Sequence, residues 1–200
     1  MGALEPLERV AALLRRLPGV GRRSAERMAY GLALDPGGMV KELSAALSDM
    51  EGTLARCGRC GNLTVKTEDP CRLCSDTRRD NKSLCVVQDP SDVLLIEKAG
   101  VFKGRYHVLR SPLSPAQGTG VPESGIDALL ERVPKEKVEE VIVALNADVE
   151  SDATAAFLRD ALARLGVRVS RLARGIPAGS GLVYTDQATL AQAIQDRKMF

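Results

Sequence analysis

The chain has no tryptophan, a single histidine (His107), and only three tyrosines and three phenylalanines. So few aromatic rings exclude base stacking as the main mode of any nucleic-acid binding. With one histidine, placed in a short strand pattern where a structural role fits best, no nucleophile–base pair can be named. A strong charge of either sign is also missing, since the formal net charge is +2 over 200 residues. Apolar runs are short. Stretches such as Val138–Leu145 fall far below the roughly 20 residues that cross a bilayer. Met1–Val10 is polar and helical, not a charged start followed by an apolar run, so no secretory signal is expected. These absences predict a soluble, cytoplasmic protein with no membrane attachment. No phosphate-binding G-x4-G-K-[ST] loop occurs, and Gly118-Thr119-Gly120 lacks the rest of a dinucleotide fingerprint.

What charge there is, is uneven. Residues 1–82 carry 14 Lys/Arg against 11 Asp/Glu, and six arginines but one acid, Glu26, lie between Arg9 and Arg27. This is a local basic patch on a nearly neutral chain. The patch surrounds LPGVGRRSAER (17–27). Apolar residues at Leu4, Leu7, Val10, Leu13, Leu14 and Leu17 predict a helix that stops at Pro18-Gly19. A second helix starts near Arg22 or Arg23, carries Ala25, Met28, Ala29 and Leu32, and ends at Pro36-Gly37-Gly38. A third fits Val40–Leu54, with Leu43, Ala46, Leu47, Met50 and Leu54 on one side.

Gly19 and Gly21 permit positive φ and a close backbone approach in the turn between the first two helices. The unpaired N–H groups that open the second helix favour a phosphate. Arg22 and Arg23 stand beside them, and Arg27 lies one turn beyond Arg23. The pattern is that of a helix–hairpin–helix, which contacts the DNA backbone without reading bases. A plain αα-turn with solvated arginines is the alternative. Charge, glycine spacing and helical context together favour the phosphate reading.

Cys57-Gly58-Arg59-Cys60 and Cys71-Arg72-Leu73-Cys74 form two C-x2-C knuckles separated by ten residues. Two such knuckles facing each other predict one tetrahedral zinc with four sulfur ligands. With no open coordination position the zinc is structural, and it stabilises a segment too small for its own core. A redox dithiol or a fortuitous cluster is the alternative, but the strand-to-helix setting that a redox pair needs is absent. Cys85 lies in a strand and reads as a small buried hydrophobe. Asp76–Lys82 reads as a polar linker.

From Leu84 onward strands alternate with helices, which implies a mostly parallel sheet covered on both faces. Strands are expected at Leu84–Gln88, Tyr106–Leu109, Val138–Leu145 and Val167–Ala173. Helices are expected at Val93–Ala99, capped by Ser91 or Asp92, at Ile126–Arg132, and at Ala153–Leu165, capped by Ser151 or Asp152. Ser111–Ser124 and Arg174–Leu182 read as loops, and Thr185–Arg197 as a terminal helix. Asp148, Glu150 and Asp152 follow a strand at the edge where ligands usually bind. They suit a magnesium ion, or else a helix cap with solvated neighbours.

The order of these parts resembles the bacterial recombination-mediator family RecR. The resemblance is carried by LPGVGRRSAERMA (17–29), the four cysteines, LCVVQDPSDVLLIEKAG (84–100), GRYHVLRSPLSPAQGTG (104–120), DATAAFL (152–158) and ARGIPAGSGLVYTD (173–186). It implies a multi-domain α/β chain. Residues 1–54 would be a helix–hairpin–helix DNA-binding region and 55–82 a zinc module with linker. Residues 83–173 would be a Toprim-like domain, of the kind shared by topoisomerases and primases, and 174–200 a glycine-rich loop and helix used for oligomerisation. It further implies a non-catalytic protein that forms ring tetramers. Acting with RecO and RecF, such proteins load RecA onto single-stranded DNA coated by SSB at gaps. Gly19, Gly21, Arg22, Arg23 and Arg27 would face the DNA, with Arg23 and Arg27 foremost.

Toprim enzymes carry a catalytic glutamate where this chain has Gln88. A neutral amide cannot act as a general base, so metal-dependent cleavage is disfavoured. The later acidic pair matches Glu150 and Asp152, with Ser151 where glycine is common, and suits a partner's basic surface. The competing functions are a Toprim-type DNA-cleaving enzyme and a pure protein-interaction scaffold.

Overall fold

Three helices occupy the first part of the chain: α1 (Glu5–Leu14), α2 (Arg22–Ala33) and α3 (Met39–Thr53). The computed structural model describes residues 4–109, 125–173, 175–176 and 179–197. The loop expected over Ser111–Ser124, including Gly118-Thr119-Gly120, lies outside the described residues, as does part of the Arg174–Leu182 loop. Helix α1 opens with a proline and with Glu5 and Glu8. Proline sacrifices an N–H that has no helical partner there, and the acids meet the positive end of the helix dipole. Small residues set the α1–α2 packing: Ala11, Ala25 and Ala29 are buried, which lets the two backbones come close. Helix α3 carries its apolar stripe as expected but buries none of its residues fully, and Leu43, Leu47 and Met50 remain exposed in the single chain.

The chain divides into two compact units, Met1–Leu54 and Ala55–Phe200. The cysteine segment contains a two-stranded sheet of β1 (Leu54–Arg56) and β2 (Leu63–Val65), then a single helical turn, α4 (Arg72–Ser75). The remaining elements are β3 (Ser83–Val87), α5 (Pro90–Ala99), β4 (Arg105–Val108), α6 (Ile126–Lys135), β5 (Glu140–Ala144), α7 (Val149–Ala163), β6 (Arg168–Arg171), a 3-10 turn (Leu182–Tyr184) and α8 (Gln187–Gln195).

The four later strands form a parallel sheet in the order β4-β3-β5-β6. Alternation along β3 serves two cores. Leu84 and Val86 join Val141 and Val143 of β5, Leu129 and Val133 of α6, and Leu158 and Leu162 of α7. Cys85 and Val87 join Tyr106 and Val108 of β4 and Val93 of α5. The sheet is thus covered on both faces, as the alternating pattern predicts.

Two helix caps differ from expectation, and both lie upstream. Helix α5 begins at Pro90, with Asp89 rather than Ser91 or Asp92 as its N-cap, and the Asp92 carboxylate accepts from the Asp89 N–H at 2.9 Å. This is a reciprocal capping box in which Asp92 occupies the third helical position. Helix α7 begins at Val149, and its cap is Asp148, not Ser151 or Asp152. In each case an aspartate about one turn earlier satisfies the first turn, so the helix starts earlier.

Asp76–Lys82 is not a free linker. Arg79 donates to the Gly104 carbonyl at 2.9 Å, ion-pairs with Glu97 and lies over the Tyr106 ring. The Asp80 N–H donates to the Lys103 carbonyl at 3.0 Å, and the Lys82 carbonyl accepts from Glu139 and Glu140 at 2.8 and 3.0 Å. The segment that follows the cysteines is therefore fastened to the sheet.

Candidate nucleic-acid interface and metal centre

The turn between α1 and α2 is closed by backbone bonds. The N–H groups of Arg16 and Leu17 donate to the carbonyls of Leu13 and Leu14 at 3.1 and 3.0 Å, and Val20 donates to Leu17 at 3.2 Å. Gly19 has φ +75°, a conformation that glycine adopts at little cost. Gly21 differs from expectation. It is the N-cap of α2 in extended conformation, with φ −76°. A Cβ at either glycine would meet nothing within 4 Å. The chain's own packing thus makes no demand for glycine at 21, and its small size leaves an open approach to the start of α2. No side chain caps that end. The N–H groups of the first turn point outward, as the ends of helices require.

The three hairpin arginines are not equivalent. Arg22 Nε lies 2.9 Å from Glu26 Oε1, so part of its charge is answered locally. Arg23 and Arg27 are exposed and form no ion pair among the described residues. Arg15, which the turn pattern did not single out, ends α1 and lines the same cleft as Arg22.

The four cysteines come together. Sγ atoms of Cys57, Cys60, Cys71 and Cys74 all lie within 4.8 Å of one another, and all four residues are buried without a disulfide. Cys60 Sγ and Cys71 Sγ are 3.6 Å apart, and Cys57 Sγ accepts from the Cys71 N–H at 3.3 Å. Sulfurs around a tetrahedral ion with bonds of about 2.3 Å are about 3.8 Å apart, so the spacing fits a metal. The hydrogen bond they share pushes the Cys60 thiol up and holds the Cys71 thiol down. Four thiolates cannot crowd together in such a space unless a cation balances them. The cluster can hold a metal ion through sulfur alone.

At the C-terminal edge of the sheet, Gln88 directly follows β3. Its Oε1 accepts from Asn146 Nδ2 at 3.2 Å and lies 3.4 Å from Ser151 Oγ. Asp148 is occupied by the cap, accepting from the Ser151 N–H at 2.7 Å and its hydroxyl at 3.0 Å. Asp152 pairs with Arg171, while Glu150 is exposed. Among the described residues the four cysteines are the one group of three or more metal-ligating side chains, so Asp148, Glu150 and Asp152 do not gather around a common point. His107 is buried, with Nε2 2.9 Å from the Gly125 carbonyl, which fits the structural role expected of it. Cys85 is buried in the α5-facing core, and burial pushes its thiol up to about 12. Among the described residues no helix is long and apolar enough to cross a membrane.

Comparison with known proteins covers the hairpin, the sheet domain and the C-terminal segment. A family model described as RecR, helix-hairpin-helix matches residues 7–50, one described as Toprim domain matches 82–173, and one described as RecR, C-terminal matches 175–198. Recombination protein RecR of Myxococcus xanthus is 43% identical over 194 residues, which is 97% of this chain and 98% of that protein. Recombination protein RecR of Desulforudis audaxviator is 47% identical over 185 residues, 92% of each chain. The chain belongs to the RecR family.

In this RecR-family chain one group of residues escaped sequence reasoning altogether. Glu136, at the end of α6, accepts from Arg59 Nε at 2.9 Å and from Arg132 Nε at 2.8 Å, and lies 3.6 Å from Arg105. Arg59 also donates to the carbonyl of Cys74, one of the four clustered cysteines, at 3.2 Å. Burial pushes Glu136 upward, but the guanidinium groups of Arg59 and Arg132 outweigh it and hold the carboxyl down at about 2. No local motif announces this group, because Arg59 and Glu136 are 77 residues apart.

Proposed function

We propose that this chain is a non-catalytic mediator of DNA recombination and repair that binds DNA without reading its sequence. The observation that carries the reading is the hairpin. Uncapped N–H groups at the start of α2, open space at Gly19 and Gly21, and exposed Arg23 and Arg27 suit a phosphate, with Arg22 adding less. Family membership supplies the context. In it the protein works with RecO and RecF to load RecA onto single-stranded DNA coated by SSB at gaps. The metal is zinc, held by Cys57, Cys60, Cys71 and Cys74. With four protein ligands it supplies folding energy and no reactive position.

One hairpin offers few phosphate contacts. Assembly into a ring tetramer raises the effective concentration of the remaining hairpins once one has bound. The uncovered apolar stripe on α3 supports such assembly, since exposed apolar surface of this kind is usually buried by a partner. Glu150 and Asp152 form an acidic edge suited to a basic protein surface rather than to a catalytic metal. The protein works in the cytoplasm, where its thiols stay reduced.

The test is a low-salt gel shift on gapped, end-labelled DNA with magnesium, comparing the wild type with Arg23→Ala/Arg27→Ala. A shift that is lost in the variant, with intact DNA in every lane, is expected. No shift by the wild type would favour a protein-interaction scaffold. Cleaved DNA, with contamination excluded, would mean that the Toprim edge is catalytic despite Gln88.

A further inference from the structure

The cysteine cluster and the α/β sheet meet through charge. Three arginines, Arg59, Arg105 and Arg132, converge on one carboxylate, Glu136. Arg132 is almost wholly buried, and besides Glu136 it holds the Tyr106 carbonyl at 2.7 Å. Arg105 is also largely buried, and its Nε finds no acceptor among the described residues. One glutamate cannot neutralise three guanidinium groups, and burying uncompensated positive charge is expensive.

The missing negative charge has a natural source. A divalent ion held by four thiolates is a dianion. Arg59 lies inside the first knuckle, between Cys57 and Cys60, and donates to the carbonyl of Cys74 in the second. It therefore touches both knuckles and, through Glu136, the end of α6. A second tie runs alongside: the Val108 N–H at the end of β4 donates to the Cys60 carbonyl at 2.8 Å. Residues that orient ligands and balance charge around a metal influence its affinity strongly.

We infer that Arg59 and Glu136 form a charge-balancing latch between the metal centre and the parallel sheet, so that metal retention and the order of strand β4 depend on each other. Both are positioning residues, since neither offers a ligand atom to the metal. The inference rests on the reading of the four cysteines as a metal centre, so the zinc content of the full-length protein is measured first. A chain isolated without zinc, and unable to take it up, would overturn that reading and the latch with it.

With zinc present, its release to a chromogenic pyridylazo chelator is timed for the wild type, Glu136→Gln, Arg59→Lys and Arg59→Met. Glu131→Gln, which breaks an exposed ion pair on the same helix, serves as the control. Removal of the latch should speed release by ~10-fold or more, the usual scale for groups that support metal ligands. Arg59→Lys keeps the charge and should fall between the wild type and Arg59→Met. Release rates matching the control in all three variants would overturn the inference. If the variants fail to fold, the wild type decides alone. Stripping its zinc should expose the Val108 amide to hydrogen exchange, and unchanged protection there would refute the coupling.

Discussion

The Val108 N–H and the Cys60 carbonyl are joined by a 2.8 Å hydrogen bond, so the first cysteine knuckle continues the edge of the parallel sheet. The next residue, Gly61, makes this approach possible. Its φ is +74°, and a Cβ there would lie 2.9 Å from the Val108 carbonyl oxygen.

Gly61→Ala combines a left-handed backbone with a clash against main chain, which cannot swing aside as a side chain would. The substitution should destabilise the protein by about 2 kcal/mol or more. Gly31→Ala is the contrast. This residue lies inside α2, and an added Cβ meets nothing within 4 Å. It should stabilise by roughly 0.5–1 kcal/mol, because alanine is the better helix former. Denaturant unfolding of both variants checks the pair.

The hairpin arginines should separate in salt titrations of DNA affinity. On single-stranded DNA, each phosphate that the protein no longer neutralises flattens the slope of log affinity against log salt by about 0.7. Arg23→Ala and Arg27→Ala should each produce a change near that size. Arg22→Ala should produce less, since Glu26 already answers part of its charge. Equal effects for all three would mean that the Arg22–Glu26 pair breaks on binding.

Much of this architecture is legible in the sequence because its signals are local. Pro18-Gly19 ends one helix, the apolar pattern around Ala25 and Ala29 begins another, and each C-x2-C knuckle announces itself. The errors are local too, but they concern where a first turn begins. Asp89 and Asp148 outcompete Ser91, Asp92, Ser151 and Asp152 as caps, since a carboxylate one turn upstream lets the helix start earlier. Gly21 is extended because an N-cap takes that conformation whatever residue it is. The Arg59–Glu136 pair and the anchoring of Arg79 to Glu97 depend on how distant segments meet. Neither leaves a periodic or spaced mark on the chain.

The acidic residues at the sheet edge should divide by role. Asp148 caps α7 and holds Ser151, which is completely buried and also reaches Gln88. Asp148→Ala should cost about 1–2 kcal/mol of stability through removal of the cap. Glu150→Gln removes charge from an exposed position and should change stability by less than about 0.5 kcal/mol. If the edge docks a basic partner, Glu150→Gln weakens that binding without affecting the fold. Thermal unfolding and partner pull-down, run on the same preparations, separate the two effects.

Glu136 makes the sharpest pH prediction. Its carboxyl is held at about 2 in the folded chain, below the ordinary value of 4.5. A carboxylate with a depressed pKa stabilises the fold fully above its unfolded value, and that stability is lost as pH falls through the folded one. The contribution here is about 3 kcal/mol, from a shift of roughly two units or more. The direct measurement is a titration of side-chain carboxyl carbons by NMR on the zinc-loaded protein. At pH 4.5 an ordinary glutamate such as one on the open surface is half protonated. Glu136 should still be fully ionised there, flanked by Arg59 and Arg132. A midpoint near the ordinary value would show that the guanidinium groups do not outweigh burial, and the charge balance drawn around the metal centre would have to be redrawn.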